Sequence, residues 1–427
     1  MKDENEIAEV EQRDVVVIGG GPAGSTAATL VARGGHDVLL LDREQFPRFR
    51  VGESLMPATY WTLERLGLLD RMKASNFPRK HSVRFYSRSG RAGAPFYFSE
   101  VESHESAATW QVDREPFDSM LLDNARSAGV EVRLGANVKD VRLDDGRARG
   151  LTIEDEQGRV RRIDSRVIVD ASGQTTLLSR KLGLKEVDPE LRHVSYFTRY
   201  RGARLDTGID AGGTLILPTR ESRSWFWFIP LPEKIVSIGV VMPIDFVSQA
   251  RPGNPQSVYD EELKLCPVLE ERLAAAEQVG PVQVLRDFSY ISRRIAGDGW
   301  VLAGDAFGFL DPIYSTGVFL ALKSGEFAAD SILEAFREQD FSAKSLGRHG
   351  AEYLAGMEAM RKLVYAYYAP SFSVARFLQE HPQFRDDVVN LLVGNVFRQP
   401  PRGLFEAMQS HVDLPPSREL TPPEGQG

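Results

Sequence analysis

Residues 14–24 read Asp14-Val-Val-Val-Ile-Gly-Gly-Gly-Pro-Ala-Gly24, an apolar strand that runs into Gly19, Gly21 and Gly24 at G-x-G-x-x-G spacing. Gly19 allows a tight turn, Gly21 lets the backbone approach a pyrophosphate, and Gly24 lets the next helix pack closely on the strand. That helix is expected over Pro22–Arg33, with its free N–H groups and positive dipole end aimed at the phosphates. A second apolar strand, Asp37–Leu41, ends in Asp42, about where an acid accepts both ribose hydroxyls. The stretch therefore opens a βαβ unit around a dinucleotide pocket.

Length and composition bound what surrounds that unit. At 427 residues the chain exceeds one ordinary core, which predicts two closely packed domains or one elaborated α/β domain. Hydrophobic content of 42% and charged content of 26% fit a globular protein. A net charge of −8 with no stripe of Lys and Arg argues against nucleic acid as a partner. The single cysteine, Cys266, excludes an internal disulfide and fits a reducing, cytoplasmic setting. Met1–Arg13 is charged and lacks an apolar core, so no secretory signal is expected there. No run reaches the roughly 18 apolar residues of a membrane span. Without H-E-x-x-H or C-x-x-C, no protein-held metal is expected.

Periodicity divides the chain further. Residues 1–12 and the Pro-, Glu- and Gly-rich 415–427 are expected to be disordered. Helices are expected near Met56–Leu68 and Pro116–Ala128, and an antiparallel meander over Val138–Leu143, Arg149–Glu154 and Val160–Val169. From about Gly183 to Leu285 long strands dominate, among them Tyr196–Arg201, Thr214–Leu217, Trp225–Ile229 and Ile235–Val241. The expected organisation is a discontinuous nucleotide-binding domain (13–80, 108–182 and 286–340), a β-rich substrate domain (81–107 and 183–285) and a helical C-terminal region (341–414).

A glycine-rich βαβ start does not separate nicotinamide from flavin. Three later segments do. Asp170-Ala-Ser-Gly173 resembles the Asp-Gly fingerprint of flavin hydroxylases, and Gly304-Asp305 resembles the second flavin fingerprint, whose aspartate holds the ribitol. Arg114 matches the arginine that this superfamily places beside the flavin phosphates. FAD is therefore the expected cofactor, in an α/β architecture with a Rossmann-like FAD-binding domain. No second G-x-G-x-x-G is present, so electrons are expected from a separate flavin reductase, although related hydroxylases bind NADPH transiently without such a domain.

Two further motifs make the chain resemble the flavin-dependent halogenases, over about Asp14–Arg398. Trp225-Phe-Trp227-Phe-Ile229-Pro230 fits the W-x-W-x-I-P pattern of that family, and its alternation puts both indoles on one face of a strand. Lys80, in Asn76-Phe-Pro-Arg-Lys80, matches the lysine that follows a Phe-Pro pair after Gly52-Glu53-Ser54. The resemblance implies FADH2- and O2-dependent oxidation of chloride or bromide to hypohalous acid, which Lys80 holds beside an electron-rich ring. It implies a halide site at the amides of Thr316 and Gly317, and a tryptophan pair separating flavin from substrate. The short chain, and the lack of the extra glutamate of tryptophan halogenases, point to phenols, pyrroles or acyl groups tethered to a carrier protein. A geranylgeranyl-reductase-like flavoenzyme, an NAD(P)H-dependent aromatic hydroxylase and a flavin-binding protein without activity remain alternatives.

Overall fold

The structure is a computed structural model, and it describes residues 10–220, 224–250, 254–370 and 372–422. The apolar strand Glu11–Ile18 sits inside a sheet, paired in parallel with Val38–Leu41 on one side and Val160–Asp170 on the other. Glu131–Arg133 extends the sheet beyond Val38–Leu41, and Trp300–Leu302 extends it beyond Val160–Asp170, both in parallel. The meander expected over 138–169 is present: Asn137–Asp144 pairs with Arg147–Glu154, which pairs with the start of Val160–Asp170, both antiparallel. Val15, Val16, Val17, Leu39 and Leu40 are fully buried, as continuous apolar runs in a sheet covered on both faces must be.

The helix Pro22–Arg33 falls where the sequence puts it, and every residue from Pro22 to Val31 is buried. It carries no polar face because the helix Thr316–Glu338 lies against it. The two approach closely at Gly325, where a Cβ would meet Ala23 O at 2.5 Å.

A second sheet of eight strands carries, in order, Gly308–Phe309, Glu277–Ser292, Lys185–Arg201, Ile235–Pro243, Trp225–Pro230, Thr214–Pro218, Ser82–Phe85 and Phe96–Tyr97. Arg79–Lys80 pairs separately with Thr109–Trp110. The boundary expected at residue 286 falls inside the strand Glu277–Ser292, which stays paired with Lys185–Arg201 through Ser292. Length explains the difference: these strands of 16 and 17 residues run past the inserted sheet and back to the nucleotide domain.

The termini depart from expectation. Residues 1–9 and 423–427 lie outside the described residues, but Glu11 and Gln12 already belong to the first strand. The stretch from Pro415 to Pro422 is largely exposed but tied to the body of the protein by hydrogen bonds. Arg418 reaches the buried Asp188 at 2.9 Å, Pro416 O accepts from Arg361, and Thr421 N donates to Arg293 O. Composition suggests disorder, but a buried carboxylate with a cation in reach outweighs it.

Candidate active site

The two sheets enclose a cavity of about 620 Å³ at the C-terminal ends of the parallel strands. Gly19 takes φ +106°, and a Cβ there would meet Ala171 O at 2.3 Å. At Gly24 a Cβ would meet Gly19 O at 1.9 Å, so this glycine serves helix–strand packing and does not line the cavity. Gly21 differs. Its Cβ would point at nothing nearer than Arg48 Nη2, 3.5 Å away, so its open face is space reserved for a ligand. Asp42 lines the cavity and accepts from Gly20 N at 2.7 Å, which ties the second strand to the glycine turn.

Two arginines share Asp118, which is fully buried. Arg114 gives Nε and Nη2 to that carboxylate at 2.8 and 2.9 Å and Nη1 to Val51 O at 2.6 Å, so it clamps the 51–52 segment. Arg48 gives only Nη1 to Asp118, at 3.0 Å. Its buried Nε has no hydrogen-bond partner, the nearest carboxylate oxygen being Glu44 Oε2 at 3.9 Å. Arg48 lines the cavity with Nη2 3.5 Å from where a Gly21 Cβ would lie, so its guanidinium is placed to meet an anion at the open side of Gly21. These residues fit the pyrophosphate of FAD, and Arg48 fits it better than Arg114.

Asp170 does not reach the cavity. Its Oδ1 accepts from Ser172 N and its Oδ2 from Leu178 N, so it shapes the loop whose residues Ala171 to Thr175 form the wall. Gly304 and Asp305 do line the cavity. Burial lifts the Asp305 carboxyl to about 6, with Arg114 and Lys185 opposing the shift. Glu53 also lines the cavity; burial raises its carboxyl although Arg199 Nη2 lies 2.8 Å away.

Past Asp305 the chain turns through Asp311–Ser315 into the 23-residue helix Thr316–Glu338. Ser315 takes a left-handed φ of 59°, which turns the helix start toward the cavity. Gly317 lines the wall, whereas Thr316 is buried behind it with its Oγ1 unpartnered. Trp225 and Trp227 share one face of their strand and both line the cavity, ring centroids 6.4 Å apart. Trp225 Nε1 donates to Tyr368 OH at 2.7 Å, and that hydroxyl reaches Asp311 Oδ2 at 3.0 Å, which ties the indole to the turn. Trp227 Nε1 donates to Ser237 Oγ, and its ring covers Gly239, where a Cβ would lie 2.2 Å from it.

Lys80 is outside this cavity and sealed from solvent, 3% exposed. Its Nζ donates to Ser54 Oγ at 2.9 Å and to Leu55 O at 3.1 Å, and lies 5.4 Å from the Phe98 ring centre. Burial pulls the ammonium down from 10.5 to about 7, so a large share of it is neutral amine near neutral pH. Ser54, Thr214, Gln111 and Arg48 escape the sequence reading of roles, because only long-range pairing brings them here. Among the described residues, one cluster of metal-ligating types, Glu380, His381 and His411, stands apart from the cavity.

Comparison with known proteins places the chain. Residues 12–340 match the FAD binding domain family. The chain is 34% identical over 412 residues to the 1H-pyrrole-2-carbonyl-[peptidyl-carrier protein] chlorinase of Pseudomonas fluorescens, covering 90% of this chain and 89% of that one. It is 35% identical to the corresponding brominase of Pseudoalteromonas luteoviolacea, covering 92% and 94%. The chain belongs to the flavin-dependent halogenases. The structure of the flavin-dependent brominase Bmp2 superposes on this halogenase with a TM-score of 0.84 at 33% identity, covering 93% of this chain and 98% of that one. Its α/β architecture and FAD-binding domain are those of the family. No helix of the halogenase among the described residues is long and apolar enough to cross a membrane.

Proposed function

We propose that this halogenase chlorinates or brominates a pyrrole-2-carbonyl group carried as a thioester on a peptidyl-carrier protein, with Lys80 handling the oxidised halide. One observation supports the role of Lys80 above others: a lysine with no carboxylate partner, sealed from water, whose ammonium loses its proton near pH 7. The substrate class is supported by the two carrier-protein halogenases, each matched along nine-tenths of this chain or more.

Reduced FAD, delivered by a separate reductase, supplies with O2 the oxidising equivalents that turn halide into hypohalous acid. The chain's own residues set the stage. The Gly19–Gly21 turn and Arg48 hold the pyrophosphate, Asp42 a ribose, and Asp305 the ribitol. Amides at Thr316 and Gly317, at the start of a long helix, hold the halide. Trp225 and Trp227 wall this chamber from the substrate side. At Lys80 the neutral amine attacks the halogen of hypohalous acid: an N–X bond forms, the O–X bond breaks, and the amine proton leaves with hydroxide as water.

The test supplies enzyme, flavin reductase, NADH, FAD and bromide, with pyrrole-2-carboxyl loaded on a carrier protein in one arm and the free acid in the other. Mass spectrometry should find the bromine isotope pair on the carrier arm. Bromination of the free acid at the same rate would remove the carrier from the reading, and hydroxylated product independent of bromide would remove halogenation.

A further inference from the structure

Tyr368, the last residue of the helix Gly350–Tyr368, stands behind the flavin cavity without lining it. Its hydroxyl takes a hydrogen from Trp225 Nε1 at 2.7 Å and gives its own to Asp311 Oδ2 at 3.0 Å. The direction is forced at both ends, because an indole N–H only donates and a carboxylate only accepts. Burial above all, and then the Asp311 charge, raise the Tyr368 phenol well above its ordinary value, so the hydroxyl keeps its hydrogen near neutral pH.

Asp311 is fully buried, and the rest of its carboxylate is engaged. Oδ1 accepts from Ile313 N at 3.1 Å, at the start of the turn Pro312–Tyr314, and Oδ2 has His193 Nδ1 2.9 Å away. The His193 ring stacks on Tyr368 with centroids 4.5 Å apart, so the phenol is packed on its face as well as bonded at its oxygen. Past that turn come Ser315, in its left-handed conformation, and the helix start at Thr316. Trp225 belongs to one wall of the cavity, and Pro312, Ser315 and Gly317 belong to another. Two walls from distant segments are thus fixed to each other through one oxygen atom that belongs to neither. A Cβ at Gly317 would meet nothing within 4 Å, so this end of the cavity is open space. An ion bound there by N–H groups has no covalent anchor, and its affinity depends on those donors being held in place beforehand.

We infer that Tyr368 and Asp311 are positioning residues for the halide end of the cavity: their hydrogen bond holds the helix start at Thr316 and Gly317 in register with Trp225 and so sets how tightly halide is held. The inference rests on the halide site proposed above.

Bromide is the probe, on the FAD-loaded protein. Its dissociation constant is read without turnover, from the change bromide makes in the absorbance of bound, oxidised FAD. Its KM and kcat are read from bromination of the carrier-bound pyrrole with the reductase present. Tyr368→Phe and Asp311→Ala, at the two ends of one hydrogen bond, should each raise both bromide constants about tenfold or more, because the bond is made to a charged group. The kcat at saturating bromide and the FAD dissociation constant should stay within about threefold of wild type. Asp311→Asn keeps an oxygen acceptor for the Tyr368 hydroxyl and should hold every quantity within the same range. Wild-type bromide constants in Tyr368→Phe overturn the inference, whatever Asp311→Ala does. Losses of FAD binding and kcat as large as the loss of bromide binding overturn it too, since they mark a merely structural role. Gly317→Val tests the premise, because its side chain fills the open space where the halide is placed. Unchanged bromide binding there removes the halide site itself; lost binding there, beside wild-type binding in Tyr368→Phe, removes only the part played by Tyr368 and Asp311.

Discussion

The flavin cavity and the buried surroundings of Lys80 are neighbours built on opposite plans. The cavity is shaped by backbone: glycines at 19, 21 and 304, a helix start at 316, and a loop pinned by Asp170. Lys80 instead lies in packed surroundings, sealed from solvent, its Nζ held by Ser54 Oγ and Leu55 O beside the Phe98 ring. A backbone cradle suits a large anionic cofactor recognised along its length. A single buried amine suits one small reactive molecule. The contrast predicts that damage on one side leaves the other intact.

The largest expected effect is at Lys80. Lys80→Ala should lower halogenated product a hundredfold or more, since loss of one positioned group commonly costs about that, with FAD affinity and thermal stability kept. Lys80→Arg should fail equally, because guanidinium stays protonated. Product above about a tenth of wild type from Lys80→Ala would end the division of labour. On the cavity side, Gly21→Val should weaken FAD about a hundredfold while the apo-protein melts normally, because its Cβ meets only Arg48. Gly24→Val, with Gly19 O at 1.9 Å, should instead lower the melting temperature; equal melting of the two variants would contradict the geometry.

A smaller effect separates the arginines. Arg48→Met should cost about tenfold in FAD affinity with little loss of stability. Arg114→Met should destabilise by about 3 kcal/mol, since it withdraws the bidentate partner of a buried carboxylate. Denaturant titration and flavin fluorescence read the two quantities separately, and a reversed pattern would return the phosphate to Arg114.

The smallest effect is in pH. Product formation at saturating FAD should rise through an acid limb near pH 7, as Lys80 becomes neutral. The linked stability has a definite sign: between pH 7 and 10.5 the unfolded chain holds a Lys80 proton that the folded chain has released, so folding stability gained from this group rises with pH across that window. Lys80→Met should therefore stabilise most below pH 7 and lose that advantage toward pH 10.5, as a thermal melt series would show.

The same contrast explains what the sequence reveals. Gly19, Gly21 and Gly24 are legible because a turn, a close approach and a packing contact are local demands on one short segment. Arg114 lies on the correct segment, but its partner Asp118 one helical turn away takes the donors that a phosphate would need. Lys80 is indistinguishable from a surface lysine except by resemblance, since its burial depends on the pairing of 79–80 with 109–110. Thr214 is 160 residues from Ser54, and no local pattern announces their contact. The long strands crossing residue 286 blur the domain boundary because strand periodicity carries no mark of which sheet it serves.

Trp227 and Gly239 face each other across adjacent strands, the indole filling the space that a Cβ at 239 would need. Neither position can change usefully alone: a side chain at 239 meets the ring at 2.2 Å, and a smaller residue at 227 leaves a void over bare backbone. The two behave as one heritable unit. Libraries meant to reshape this wall of the cavity should vary the pair together, and scans of either position singly will record it as immutable.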